Sequence, residues 1–169
     1  MTGAGHPAAE QLFHEEFETP AGLLRAAVAA DGSLVRLEFC GADQARAGKT
    51  TASGTCALVR LQLSEYFSGR RTSFDLPLAP RGTEFQQRVW AELVRIPFGT
   101  RATYGELARR IGRPAASRAV GAANGANPIA IVIPCHRVVG SDGSLTGYGG
   151  GLPLKDWLLA HEAGARPLF

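Results

Sequence analysis

One short segment of the chain contains the residues best suited to chemistry, a cysteine and a histidine that follow a run of apolar residues. Ile129 to Ile133 are five consecutive apolar residues, and Pro134, Cys135 and His136 come directly after them. A cysteine reacts as its thiolate, which a neighbouring base or positive charge favours. Cys135 is therefore a candidate nucleophile with His136 as its candidate base, although a free cysteine is also common as a small buried apolar group.

The neighbouring residues determine how this pair is presented. The apolar run has the length of a buried strand and is rich in β-branched side chains, so we expect a strand over 129–133. Pro134 cannot continue a sheet ladder, which places Cys135 where the strand ends and a loop leaves room for a substrate. Because neighbouring side chains of an extended segment point in opposite directions, we expect a bridging water between Cys135 and His136.

Two short helices joined by a turn are expected before the cysteine. Thr103 and Glu106 form a capping box, which predicts a helix over 104–111. Pro114 is suited to the first position of a second helix, which we expect to run to about Asn124. Two short helices with a glycine in the turn between them are typical of a helix-turn-helix motif.

The second of these helices is composed largely of small residues, and Arg118 is its only large polar side chain. Small residues let a backbone approach its partner closely. Residues 1–79 carry seven Lys+Arg and nine Asp+Glu, a net −2, whereas residues 80–169 carry eleven and six, a net +5. The second half therefore suits a polyanion such as DNA. The alternative is an alanine-rich helix packed on the core, with solvated charges around it.

The N-terminal half is expected to form a small α/β unit. Asp31-Gly32 lies between two apolar segments and predicts a β-hairpin, which a strand near 13–17 could join. Apolar side chains at helical spacing predict a helix over 58–67. No chemistry is predicted for this half, and Cys40 and Cys56 are interpreted as packing residues.

A segment with two prolines and a glycine at 77–82 is the expected linker, so we predict domains at 1–79 and 80–169. The chain is expected to end in a helix over 153–163, with Glu162 in its last turn. A glutamate at a helix end is usually solvated. A functional Glu162 would therefore have to reach back to the histidine.

Several classes of protein are excluded by composition. No apolar run approaches the length of a membrane span, and residues 1–10 lack the pattern of a secretory signal. Three cysteines do not make a disulfide framework, and no Cys-x-x-Cys or His-Glu-x-x-His pattern indicates a metal site. We therefore expect no metal, no cofactor, no membrane contact and a reducing, cytoplasmic setting.

Pro134 to Val138, with Asn127-Pro128 before it and Gly147 to Gly150 after it, resembles the acceptor-site motif of the O6-alkylguanine-DNA alkyltransferases. These are also called methylated-DNA–protein-cysteine methyltransferases. The resemblance extends from about Thr83 to Glu162 and is weaker in the N-terminal half. It implies an α/β fold in which a small N-terminal α/β domain (a ribonuclease H-like sheet plus helix) precedes a C-terminal winged helix-turn-helix domain.

The resemblance also implies an activity. Cys135 would take the alkyl group from O6-alkylguanine, and also from O4-alkylthymine, in double-stranded DNA, once per molecule. The protein would act as a monomer, with cooperative assembly on DNA possible. His136 would remove the thiol proton through a water, and Glu162 would orient His136. Further residues would support this reaction: Asn127 the loop geometry, Tyr104 the departing guanine, Val138 the base edge, and Tyr148 and Gly149 the closed pocket.

The DNA contacts are implied in the same way. The second helix would enter the minor groove, and the target base would be flipped out of the duplex. Arg118 would fill the space that the base leaves, and Gly105, Arg113 and Ser141 would contact DNA beside Tyr104. Gly149 stands where some members of the family have a serine, which bears on the range of substrates.

Three other functions remain open from the residues. A winged-helix regulator would use the same helix pair without needing Cys135 or His136. An alkyltransferase-like lesion binder would lack the cysteine, which this chain has. A Cys-His hydrolase would turn over repeatedly.

Overall fold

A three-stranded antiparallel sheet begins the part of the chain that this computed structural model describes, residues 11–41 and 54–164. Its strands are β1 (Leu12–Thr19), β2 (Gly22–Ala29) and β3 (Leu34–Phe39), in the order β1-β2-β3. The turn after β2 contains Gly32 at a φ of +88°, a conformation that glycine adopts without strain. The predicted hairpin at Asp31-Gly32 is confirmed, and so is the strand near 13–17 that was expected to pair with it.

Helix α1 (Gly54–Phe67) covers one face of this sheet. It begins four residues before the predicted start. Its buried face includes Val59, Leu63 and Tyr66, which belong to the same core cluster as Leu24 of β2. Each large apolar side chain buried in this way contributes roughly 1.5–3 kcal/mol relative to exposure.

Three helices follow, and the capping box predicted for the helix-turn-helix region is present. They are α2 (Glu84–Val94), α3 (Tyr104–Arg110) and α4 (Ser117–Gly125). Thr103 accepts a hydrogen bond from Glu106 N, and the Glu106 side chain accepts one from Thr103 N. The indole of Trp90 donates to Ala123 O at 2.8 Å, which joins α2 to α4.

The prediction that Pro114 opens the second helix was wrong. The residues after it form a turn closed by a hydrogen bond from Ala116 N to Arg113 O. Helical bonding begins with Val120 N donating to Ala116 O, so Ser117 is the first helical residue. Proline fits this turn as well as a first helical turn because both leave its nitrogen without a hydrogen bond to make.

A short parallel pair and a last helix complete the C-terminal part. Strand β4 (Ala102–Thr103) pairs with β5 (Val138–Val139), and α5 (Leu152–Glu162) ends the described chain. The expected α/β architecture, a small sheet unit followed by a largely helical C-terminal unit, is confirmed. Within the described residues, no helix is long and apolar enough to cross a membrane. Residues 1–10, on which the expectation about a secretory signal rests, lie outside the described residues.

The predicted strand over 129–133 was also wrong. The segment is buried, but it forms consecutive tight turns, with Ile133 N donating to Ile129 O and Ile131 at a φ of +69°. Its single ladder contact is an isolated bridge between Ile129 and Leu37 of β3. A β-branched apolar run indicates burial more reliably than it indicates ladder pairing. The turns are closed instead by the side chain of Asn127.

The two halves share one core and meet at β3. Leu37 N donates to Pro128 O at 2.9 Å, and Ala130 N donates to Leu37 O at 2.8 Å. The core cluster contains buried residues from the sheet, from α1 and from every helix of the C-terminal part. The segment that carries Cys135 is therefore held on one side by the N-terminal sheet.

Candidate active site

Cys135 begins a single 3-10 turn (Cys135–Arg137) and is only 7% exposed. It lies at the wall of a cavity of about 230 Å3, many times the ~30 Å3 that one water occupies. Of the predicted site residues, Asn127, Tyr148 and Gly149 line this cavity with it. The cavity can therefore admit a group much larger than water next to the thiol.

His136 is fully buried, and its Nε2 lies 2.7 Å from Oε1 of Glu162. A carboxylate can only accept, so Nε2 carries the proton and Nδ1 is left as the basic nitrogen. Nδ1 has no hydrogen-bond partner among the described residues. The structure therefore brings Glu162 to His136, as the functional interpretation of this helix-end glutamate required.

Glu162 is held by an unusually large number of donors. Oε1 also accepts from Tyr66 Oη at 2.7 Å and from Arg137 Nη2 at 3.0 Å. Oε2 accepts from Arg137 Nε at 2.8 Å and from the backbone N of Gly99 at 3.1 Å. A carboxylate with five donors is fixed in position and stays ionised when buried.

The electrostatics agree with this geometry. Burial raises the pKa of Glu162, but hydrogen bonds from His136 and Arg137 outweigh it and hold that pKa far below its usual range. Burial lowers the pKa of His136 despite the opposing hydrogen bond from Glu162. His136 is therefore neutral near pH 7 and able to accept a proton.

Burial likewise raises the pKa of the Cys135 thiol, partly offset by a hydrogen bond from Asn127 and by the charge of Lys155. The resting protein therefore holds a thiol rather than a preformed thiolate. Deprotonation must accompany the reaction, and it needs a base close by. His136 is the basic side chain adjacent to it.

Asn127 supports the turns that carry the cysteine. Its Nδ2 donates to Ile133 O at 2.7 Å, and its Oδ1 accepts from Ile129 N at 3.0 Å. The expected supporting role of Asn127 in the loop geometry agrees with these contacts. Asn124 of α4 adds a weak bond to Cys135 O at 3.4 Å, a contact that the sequence did not indicate.

Tyr148 lines the cavity, whereas Tyr104 is not among the residues that line it. The hydroxyl of Tyr148 is buried and has no hydrogen-bond partner among the described residues. The hydroxyl of Tyr104 accepts from Thr146 Oγ1 at 2.9 Å. A Cβ on Gly121 of α4 would lie 3.7 Å from the Tyr104 ring, an ordinary van der Waals contact, so α4 lies close to α3 at this point. Val138 is buried in β5, directly after the 3-10 turn.

The residues predicted to contact DNA lie towards solvent. The side chains of Arg118, Arg113 and Ser141 are exposed, and Gly105 is partly so. The guanidinium of Arg113 lies 6.0 Å from the ring centroid of Phe85, which orients it on the surface. Arg118 does not line the cavity that contains Cys135.

Three charged or polar residues of the site were missed from the sequence. Arg137 bonds Glu162 as described and donates from Nη1 to Ile96 O at 2.6 Å. Lys155 is fully buried and donates to Thr146 O at 2.7 Å. Tyr66 comes from the half for which no chemistry was predicted. The position of Arg137 directly after His136 was an available signal, whereas nothing local marks Tyr66.

No cluster of metal-binding side chains occurs within the described ranges. Two family models match the chain. Residues 15–80 match the ribonuclease-like domain of 6-O-methylguanine DNA methyltransferase, and residues 84–164 match its DNA-binding domain.

Individual relatives agree with these models. A methylated-DNA–protein-cysteine methyltransferase of Mycolicibacterium paratuberculosis is 50% identical over 86% of this chain and 88% of its own length. One of Methanosarcina acetivorans is 59% identical over 60% of this chain, and the aligned stretch spans 65% of that protein, just under two thirds.

Among solved structures, that of Mycobacterium tuberculosis OGT in complex with DNA superposes with a TM-score of 0.82 at 44% identity. The match covers 92% of this chain and 95% of the other. The thiol, the buried histidine and its carboxylate thus lie in a chain whose two parts, in sequence and in shape, match one family throughout. The chain belongs to the methylated-DNA–protein-cysteine methyltransferase family.

Proposed function

We propose that this protein repairs DNA by moving an alkyl group from the O6 atom of guanine to Cys135, once per molecule. The observation that carries the proposal is the placement of Cys135 at the cavity wall, next in the chain to a buried His136 bound to Glu162. A nucleophile, a base and a group that orients the base are the parts that such a transfer needs. Membership of the family supplies the reaction class.

The transfer moves one proton from the thiol and exchanges one carbon–oxygen bond for one carbon–sulfur bond. The thiol proton of Cys135 passes through a water to Nδ1 of His136, the ring nitrogen left without a partner among the described residues. The sulfur attacks the alkyl carbon, a carbon–sulfur bond forms, and the carbon–O6 bond breaks. The departing guanine anion accepts a proton from the Tyr104 hydroxyl, and the proton that His136 took from the thiol returns to Tyr104 through solvent, so that protons and charge balance. The product thioether is stable, so the protein does not return to its starting state.

The target base must leave the duplex to react. Cys135 is almost completely buried behind the cavity mouth, and the O6 atom of a paired guanine lies inside the base stack. Helix α4 would enter the minor groove, where its small residues permit close approach. Arg118 would occupy the gap left by the base, and Gly105, Arg113, Tyr104 and Ser141 would contact the DNA around it.

The cavity residues would recognise the flipped base. The hydroxyl of Tyr148, which has no hydrogen-bond partner within residues 11–41 and 54–164, is available to a ligand, and Gly149 leaves the cavity rim open. The backbone of Cys135 and Val138 would bind the base edge, while Asn127 keeps that backbone in place. Alkyl groups on O4 of thymine are proposed as further substrates.

We also propose an oligomeric state, a domain boundary and a cellular setting for this chain. The chain would act as a monomer that can assemble cooperatively on DNA, with a boundary between domains at 79/80. None of the three cysteines, all of them described, forms a disulfide, which supports a reducing, cytoplasmic setting.

The test is incubation of the protein with duplex DNA containing one deuterated O6-methylguanine, followed by peptide mass analysis. We expect one labelled methyl group per protein molecule, on Cys135 alone, and one guanine restored per protein consumed. Cys135→Ser should bind the DNA without reacting, whereas the matched variant Cys40→Ser should react normally. Repair of many lesions per protein molecule would indicate a hydrolase and overturn the proposal.

A further inference from the structure

Tyr66 connects the N-terminal sheet unit to the site. It lies in α1, 96 positions before Glu162, yet its hydroxyl donates to Glu162 Oε1 at 2.7 Å. The side chain is fully buried. Because Oε1 is also the atom that accepts from His136 Nε2, one oxygen joins the tyrosine to the imidazole.

The direction of this hydrogen bond is determined by chemistry. The Glu162 carboxylate stays ionised, so it offers no proton and the phenol must donate. Burial and the charge of Glu162 together raise the pKa of Tyr66 well above its usual range, so the phenol keeps its proton at every working pH. A permanent donor therefore faces Oε1.

The ring of Tyr66 is held on several sides. Its centroid lies 5.1 Å from those of Phe67 and His161, 5.5 Å from that of Phe74, and 5.9 Å from that of Phe98. A tyrosine has few rotatable bonds, and these rings leave its hydroxyl directed at the carboxylate. The sheet unit thus presents the donor on a rigid support.

We infer that Tyr66 is a positioning residue for alkyl transfer, whose hydroxyl holds Oε1 of Glu162 against Nε2 of His136 and moderates how strongly that oxygen attracts the imidazole proton. The inference rests on the proposed function and assigns the N-terminal unit a part in the reaction. Tyr66 acts through Glu162 and does not touch the substrate.

Removal of the Tyr66 hydroxyl should shift the pH dependence of methyl transfer in one direction. The charged and titratable groups around His136 are Glu162 and Lys155 of α5, Arg137 beside it in the 3-10 turn, and the Cys135 thiol. Without the phenol, Oε1 has one donor fewer and becomes a stronger acceptor. The imidazolium form of His136 is then stabilised, so its pKa rises and the neutral, base-competent form is lost at a higher pH.

The experiment compares Tyr66→Phe with Phe74→Leu. The first removes only the hydroxyl, whereas the second disturbs the packing of the same ring and keeps the hydrogen bond. The rate constant for methyl transfer to Cys135 is measured from pH 5 to pH 9 at a temperature where all proteins are folded. We expect Tyr66→Phe to be slower by about tenfold near neutral pH, similar to the loss when the outer hydrogen-bond partner of a metal-ligating histidine is removed. The fall of its transfer rate on the acid side of the pH profile (the acid limb) should move to higher pH. Phe74→Leu should keep the acid limb of the wild type.

Three further measurements test the role of Tyr66 independently. The His136 ring is titrated by NMR in wild type and in Tyr66→Phe, which needs no transfer reaction and should show the same upward shift. A fluorotyrosine at position 66, a stronger donor, should move the acid limb to lower pH. In a Glu162→Gln background, Tyr66→Phe should slow transfer by less than about twofold, because residues in one network are not additive.

The outcomes separate the two proposals. If Tyr66→Phe only lowers the unfolding midpoint, with both acid limb and His136 titration unchanged, Tyr66 is structural and the inference is wrong. If the wild-type protein transfers no methyl group at all, the proposed function fails, while the NMR titration still tests whether the tyrosine controls the imidazole.

Discussion

Arg137 binds both oxygens of Glu162, from Nε to Oε2 at 2.8 Å and from Nη2 to Oε1 at 3.0 Å, with both side chains removed from solvent. The two residues are 25 positions apart and join the 3-10 turn of the cysteine to the last helix. A bidentate pair of this kind fixes orientation as well as charge. The carboxylate that serves His136 is therefore oriented by the residue that follows His136.

Replacing Arg137 should destabilise the protein strongly. Arg137→Met leaves a buried carboxylate without its main counter-charge, which typically costs about 3–5 kcal/mol in the free energy of unfolding. Urea titration measures the change. Arg95→Met is the matched control, because Arg95 pairs with Glu92 on the surface, where a pair is worth roughly 0–1 kcal/mol. Equal losses in the two variants would show that the buried pair contributes no more than an exposed one.

The rate of transfer should depend on pH as a buried imidazole does. Burial lowers the pKa of His136 and raises that of Cys135. Transfer should therefore fall on the acid side with a midpoint below the ordinary histidine value of about 6.5, and it should be level from there to about pH 8. Single-turnover rates across this range provide the measurement. A rate that instead climbed tenfold per pH unit through neutrality would indicate reaction of a thiolate formed without the histidine.

Local signals in the sequence were reliable where the structure depends on local contacts. The capping box at Thr103 and Glu106 and the hairpin at Asp31-Gly32 involve residues at most a few positions apart, and both are present. The strand over 129–133 failed because apolar character reported burial alone. The segment exchanges only two backbone hydrogen bonds with Leu37 of β3, and the side chain of Asn127 holds the rest of it by bonding Ile129 N and Ile133 O.

The site itself was only partly predictable. Cys135, His136 and Asn127 are close in the sequence, so one motif marks them together. The burial of Glu162 comes from the way α5 packs on the 3-10 turn, and the resemblance to the family, not its helical position, indicated its role. Tyr66 lies at a helical spacing shared with ordinary core residues, and its hydroxyl finds a partner only after the two halves have packed.

The hydroxyl of Tyr148 has no hydrogen-bond partner among the described residues, so its removal should affect stability and activity in opposite directions. A buried hydroxyl without a partner costs about 1–3 kcal/mol. Tyr148→Phe should therefore match or exceed the wild type in the free energy of unfolding, while methyl transfer slows because the bound base loses a donor. Tyr104→Phe is the comparison, since it breaks the existing bond with Thr146. If Tyr148→Phe proved less stable by a kcal/mol or more, the hydroxyl would have a partner in the resting protein.

Arg118 should matter for extracting the base and not for the chemistry. It is exposed on α4 and does not line the cavity that contains Cys135. Flipping a paired base costs a few kcal/mol, and a side chain that occupies the gap offsets part of this. Arg118→Ala should therefore slow repair of duplex DNA strongly, by about tenfold or more, and spare reaction with a free O6-benzylguanine base.

The control for Arg118 is Arg110→Ala, which removes another exposed cation from the same helix pair. If Arg110 contacts only phosphates, Arg110→Ala should weaken binding to all duplexes alike. It should also reduce the slope of log affinity against log salt concentration by about one. The comparison is made at saturating protein, so that binding losses do not appear as slow transfer. A free base needs no extraction from a duplex. If Arg118→Ala slowed transfer by the same factor on duplex DNA and on the free base, the arginine would therefore support the pocket itself.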